Sequence, residues 1–294
     1  MEEIELYRGP NKRLCHELAL VLQSRGIPSR QVQDTGGYVL LVLAQHAGIA
    51  SNELVAYQSE NAGRGKAVAQ ELSPRAGRLE ACGYAIVMAV FYAADKYRFF
   101  GLDWLAQGRT DSRLGFAGNL ERAVTSLTLH ADLRHILSNI FFGALFSVLL
   151  SQAVGAGAAW LGIILSGFLG NLLSVWVSSP EGAVAHTSIG ASTMVFGTLG
   201  MLAAYQWRVR NRANLGLKQW APLIAGTVLL GFFGFGGGAR TNYMAHLTGF
   251  VSGAVLGALL GGTRPLQLSA RWQRILLSTA FGLTVVAWAW AFAN

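Results

Sequence analysis

Seven stretches of apolar residues, each near the ~20 that a helix needs to cross ~30 Å of hydrocarbon, constrain what this chain can fold into. They run over about 79–94, 133–153, 157–177, 190–205, 220–235, 245–262 and 275–292. The composition agrees: 52% of residues are hydrophobic and 13% charged, where soluble proteins carry about 25% charged residues. The chain therefore reads as a polytopic, all-α membrane bundle. Its formal charge of +8 could suggest a nucleic-acid partner. The Lys and Arg residues instead flank the apolar runs and form no basic stripe interleaved with aromatics, so the partner implied is the lipid bilayer and not nucleic acid. Cys15 and Cys82 lie far apart and suggest neither a disulfide framework nor a metal site. No basic segment followed by an apolar core opens the chain, so no cleaved signal peptide is expected.

The remaining segments divide the chain into parts. Residues 1–62 read as a small soluble α+β domain. A strand holds Ile4 and Leu6, a helix aligns Leu14, Leu18, Val21 and Leu22 before Gly26 and Pro28, and a further strand lies near Val32. A turn at 34–37 then leads into an apolar strand over 38–44 and a second helix over 49–61. His16 and His46 read as surface or packing residues, and the sequence assigns this domain no partner. Residues 63–78 are a linker, 79–262 a six-span core, and 263–294 a loop and seventh span. Arg208, Arg210, Arg212 and Lys218 precede span five, and Arg264, Arg271 and Arg274 precede span seven, with no acid between them. Those loops are expected to be cytoplasmic. That makes the chain a multi-pass protein of the cell membrane, with a cytoplasmic N-terminus and an external or periplasmic C-terminus. The segment from Lys96 to Arg134 is also basic, but Asp95, Asp103, Asp111, Glu121 and Asp132 are interleaved in it.

With this topology, polar residues from three spans gather at the outer level. Ser192 opens span four, His246 opens span six, and His135 and Asn139 stand one turn apart on span two. Such residues are costly in a membrane and mark function when they cluster. Singly, each has a plainer reading, as a helix cap or a hydrogen bond between helices. Gly249, Gly253 and Gly257 continue the face below His246, while Thr193, Gly197, Gly200 and Ala204 do so below Ser192, so the two helices can approach closely. A serine needs a base to act as a nucleophile, and acyl transfer needs donors for an oxyanion. His246 can be the base, and His135, Asn139 and the Ser192 amide can be the donors. No acidic residue lies below them on these spans to complete a triad, so a dyad is expected, without a metal or cofactor. Span four, about 16 residues long, covers only ~24 Å, which places Ser192 in a recess below the outer surface.

Taken together, His130-x4-His135-x3-Asn139, Gly190-Ala191-Ser192 and Ala245-His246-x2-Gly249-x3-Gly253 resemble the rhomboid intramembrane serine proteases, over about Leu79 to Gly262. The resemblance implies a six-helix core with a seventh, C-terminal span added. It implies Ser192 as nucleophile, His246 as general base and acid, and His135, Asn139 and the Ser192 amide as the oxyanion hole. His130, Gly190 and Gly249 would be structural residues near the site. Three positions depart from the family pattern. Thr193 stands where glycine is usual, Thr248 replaces the first glycine of His-Leu-Gly-Gly, and Glu121-Arg122 stands where Trp-Arg is frequent; Thr193 is expected to narrow the cleft.

The function implied is endopeptidase cleavage of membrane-protein substrates, in or beside a transmembrane segment. The alternative is a catalytically silent relative that binds and escorts membrane helices; its mark would be loss of Ser192 or His246. A transporter would predict internal repeats and helices broken at mid-membrane, and no convincing repeat is found. The glycine-rich segment Gly234 to Gly238 is expected to form a mobile cap, letting the top of span five swing aside.

Overall fold

The computed structural model describes residues 2–34, 36–61, 77–111, 119–178, 187–212, 216–234, 242–262 and 268–293. Two compact units divide the chain, Met1–Ala69 and Gln70–Asn294.

In the first unit, strands β1 (Glu3–Gly9), β2 (Ser29–Asp34) and β3 (Gly37–Leu43) form an antiparallel sheet in the order β1-β3-β2. The most apolar strand takes the centre, where both of its edges are paired. Helices α1 (Lys12–Ser24) and α2 (Ala47–Asn61) close the unit. The Asn11 side chain caps α1 by accepting from the Leu14 amide over 3.1 Å. Cys15, Leu18 and Leu22 of α1 then meet Leu40 and Val42 of β3, with Ala50 and Leu54 of α2, in a single small core. Cys15 is a buried free thiol and Cys82 an exposed one.

The second unit is helical. Its elements are α3 (Arg78–Lys96), the short α4 (Trp104–Gly108), a two-residue strand β4 (Thr110–Asp111), and α5 (Arg122–Thr125). They are followed by α6 (Leu133–Val154), α7 (Ala156–Val177), β5 (Thr187–Ser188), α8 (Ser192–Arg212), α9 (Ala221–Gly234), α10 (Tyr243–Gly262) and α11 (Ala270–Ala293). Four of these, α6, α7, α10 and α11, are long and apolar enough to cross a membrane. Leu137, Phe141, Leu145 and Leu149 on α6, and Leu247, Val251, Val255 and Leu259 on α10, are exposed at four-residue spacing. Continuous apolar stripes of that kind are faces that lipid covers. The protein is a multi-pass membrane protein.

α7 lies at the centre, with 61% of its most apolar stretch buried, against 22% for the peripheral α11. The α6–α7 turn depends on Gly155, whose φ of +86° a side chain would strain. Gln273 of α11 ties that turn, donating to the Val154 carbonyl and accepting from the Ala158 amide. At its other end α11 stacks Trp288 on Phe91 and sets Phe292 edge-on against Trp104, and Trp288 Nε1 donates to Thr128 Oγ1.

α8 is longer than the stretch of 190–205 suggested. It has 21 residues, about 31 Å, because Gln206, Arg208, Arg210 and Arg212 are good helix formers that carry it past its apolar part. The small-residue faces of α8 and α10 meet. A Cβ on Gly253 would run into the Gly197 carbonyl, one on Gly257 into that of Met201, and one on Gly249 into that of Thr193. Of the expected cap, residues 235–238 lie outside the described residues, and of the expected linker, 63–78, so do residues 63–76; Arg78 already belongs to α3.

Candidate active site

The local backbone that presents Ser192 is set by Gly190 and Ala191. Gly190 has φ +126°, and a Cβ there would lie 2.6 Å from Cε1 and Nε2 of His135. The residue is therefore fixed as glycine by both conformation and space. Its amide donates to the Ser126 carbonyl over 2.9 Å, and the next amide, of Ala191, donates to His130 Nε2 over 3.3 Å. These two bonds stitch the strap ahead of α8 to the segment ahead of α6. The first intrahelical bond of α8 runs from the Val195 amide to the Ala191 carbonyl. The amide of Ser192 therefore has no acceptor within the helix.

His130 is almost wholly buried. Burial, with the His135 ring at 5.0 Å, pushes its pKa down to about 3. Its imidazole is neutral, as an Nε2 that accepts must be. Asp132 caps α6 by accepting from the His135 amide over 2.9 Å, and this bond holds its carboxyl below the usual range. The cap sets where α6 begins and thereby aims His135 and Asn139 along one face.

Across the cleft, His246 Nε2 stands 3.0 Å from Ser192 Oγ. The His246 ring lies against Phe196, one turn below Ser192, with centroids 4.6 Å apart. Asn139 is buried and its Nδ2 has no hydrogen-bond partner among the described residues. Its backbone carbonyl accepts from Tyr84 Oη of α3 over 2.9 Å. A buried amide donor without a partner is costly. It is accounted for if a ligand oxygen fills that place.

The structure thus brings Ser192 and His246 together, sets His135 beside Gly190, and places His130 behind the strap. Gly249 lies at the α8–α10 contact, where a Cβ on Gly170 of α7 would come within 2.7 Å of its Cα. Thr193 does not project into the cleft as expected. It is buried at 2% exposure and bonded to Asn171, because the position after Ser192 on a helix turns about 100° away from it. Arg122 donates to the carbonyls of Ala106 and Arg109 and so holds the loop before β4. Tyr84, Phe196 and Asn171 were absent from the sequence-derived site. Asn171, a buried amide in an apolar span, carried a readable signal; aromatic residues at helical spacing look the same whether they pack lipid or an imidazole.

The fold and the paired side chains define a class: a multi-pass helical membrane protein with a serine and a histidine in hydrogen-bond contact at the ends of two helices. Residues 117–263 match the Rhomboid domain family, and the chain belongs to that family. It is 34% identical over 147 residues to rhomboid-like protein 11, chloroplastic, of Arabidopsis thaliana, covering 47% of this chain and 51% of that relative. To rhomboid-like protease 3 of Toxoplasma gondii it is 31% identical over 159 residues, 53% and 57% of the two chains. Inactive rhomboid protein 1 of Drosophila melanogaster is 27% identical over 141 residues, 48% of this chain and 9% of the relative. The chain spans about half the length of the first two.

Proposed function

We propose that the protein is an intramembrane serine endopeptidase acting on membrane-protein segments through a Ser192–His246 dyad. The observation that carries this reading is the 3.0 Å contact between Ser192 Oγ and His246 Nε2; the unpartnered buried donor of Asn139 supports it. In the proposed reaction Ser192 Oγ attacks the scissile carbonyl as His246 Nε2 takes its proton. The oxyanion is met by Asn139 Nδ2, a His135 ring N–H and the Ser192 amide, donors already oriented before charge develops. His246 then returns the proton to the leaving amine, and water, activated by the same imidazole, hydrolyses the acyl-enzyme. All seven apolar helices would cross the bilayer, with the Arg208–Lys218 and Arg264–Arg274 segments and the N-terminal unit in the cytoplasm. The C-terminus would then be external or periplasmic. Residues 1–62 would form a separate soluble domain, 63–78 a linker, 79–262 the catalytic core, and 263–294 an added loop and span.

Ser192→Ala and His246→Ala are each expected to abolish cleavage of a model membrane substrate without unfolding the protein. In the same preparations a serine-reactive phosphonate should label wild type and not Ser192→Ala. Undiminished proteolysis by either purified variant would rule the dyad out. The second reading, a silent protein that escorts membrane helices, is favoured by the similarity to an inactive Drosophila relative. It predicts no phosphonate labelling even of the wild type.

A further inference from the structure

Two threonines stand beside the reactive pair in the chain: Thr193 follows Ser192, and Thr248 comes two residues after His246. Both are buried, and both turn their hydroxyls toward adjacent residues of α7. Thr193 Oγ1 donates to Asn171 Oδ1 over 3.0 Å. Thr248 Oγ1 lies 2.8 Å from the Gly170 carbonyl oxygen, sharing its proton with the Met244 carbonyl at 2.8 Å and, more distantly, with that of Ala245. Asn171 is itself fixed, its Nδ2 donating to the Ala123 carbonyl and to Ser126 Oγ. The three helices touch at this point, since a Cβ on Gly170 would lie 2.7 Å from both Gly249 Cα and Thr193 Cγ2.

Small-residue packing sets how closely membrane helices approach, but smooth glycine faces resist rotation and sliding only weakly. Directional hydrogen bonds to a third helix fix both. We propose that Thr193 and Thr248 are positioning residues that register α8 and α10 against Asn171 and Gly170 of α7, and so fix the separation of Ser192 and His246. The proposal rests on the reading of Ser192 and His246 as a catalytic pair. α7 contributes no reacting group; it is the common reference to which the nucleophile's helix and the base's helix are tied. A glycine at either position would have no hydroxyl with which to make the tie. The two hydroxyls thus act at one place, on adjacent residues of α7.

The test uses the full chain in detergent. Thr193→Val and Thr248→Val keep the shape and remove each hydroxyl, while Thr193→Ser and Thr248→Ser keep the hydroxyl. The readouts are the rate of phosphonate labelling at Ser192, kcat and KM on a model membrane substrate, and the thermal midpoint. Each Val variant is expected to label roughly 10-fold more slowly, with kcat reduced and KM unchanged, as for a small misplacement of reacting groups. Each Ser variant should recover the wild-type rate. The double Val variant should be little slower than the worse single one, because breaking either tie already frees the pair. If wild type labels and the Val variants match it, the positioning role is overturned. Losses that track the unfolded fraction and are not rescued by serine overturn it equally. Wild type that fails to label removes the catalytic reading itself, a result distinct from either.

Discussion

Asn139 and His130 show how single side chains divide the work of the site. Asn139 Nδ2 is buried without a partner, so Asn139→Ala removes a donor that no fold contact uses. The proposed oxyanion role predicts a fall in kcat of about 10²–10³, with other donors remaining, and little change in melting. Unchanged turnover would take Asn139 out of the oxyanion hole. His130 does the opposite: its bond to the Ala191 amide is structural, and its pKa is held at about 3 by burial. The unfolded chain binds a proton there near pH ~6.5, which the folded protein resists. This contribution to stability is therefore complete above pH ~6.5 and is lost as pH falls from there toward 3, at about 1.4 kcal/mol per pH unit. Thermal midpoints from pH 8 to 4 should show this slope in wild type and lose it in His130→Asn, which does not titrate. A slope unaltered by that substitution would place the acid sensitivity elsewhere.

Between elements, the α8–α10 contact decides whether the pair can meet. Gly253→Leu places a side chain against the Gly197 carbonyl, and the helices must separate. The expected cost is about 1–3 kcal/mol, read as a lower thermal midpoint, together with loss of Ser192 labelling. A variant that keeps full labelling would show that backbone contact at Gly253 does not set the pair. This contact was legible in the sequence because one helix carries its signal: Gly249, Gly253 and Gly257 fall on the face of His246 by spacing alone. The same holds for His135 and Asn139, one turn apart on α6. What the sequence did not reveal joins distant segments. Asn171 reaches Ala123 and Ser126, some 45 residues earlier, and no local period records such a bond. The buried orientation of Thr193 was likewise hidden, since it depends on where α7 lies. The length of α8 was underestimated for another reason: hydropathy ends at Tyr205, while Gln206, Arg208, Arg210 and Arg212 favour continuing the helix.

Taken whole, the molecule joins a unit within the rhomboid family to one outside the match, which covers residues 117–263. The N-terminal unit buries its own core, from Cys15 to Leu54. It also closes its own ion pairs, Arg30 with Glu3, Arg8 with Asp34, and Arg25 with Glu53. Every residue proposed for catalysis, and every hydrogen bond described around it, lies in the second unit. Excising residues 2–61 is therefore expected to leave the rate of phosphonate labelling at Ser192 within about twofold of wild type, since contacts between independent domains are not needed for either core. The excised segment, expressed alone, should unfold cooperatively in urea. Its stability should be no more than about 3–5 kcal/mol, the most that a core of this size supplies. The two measurements separate the roles the unit could have. Labelling lost on excision, with the membrane unit still folded, would mean that the N-terminal unit assembles or activates the site. Labelling retained while cleavage of a membrane substrate falls would confine it to substrate delivery, a step that a small phosphonate bypasses.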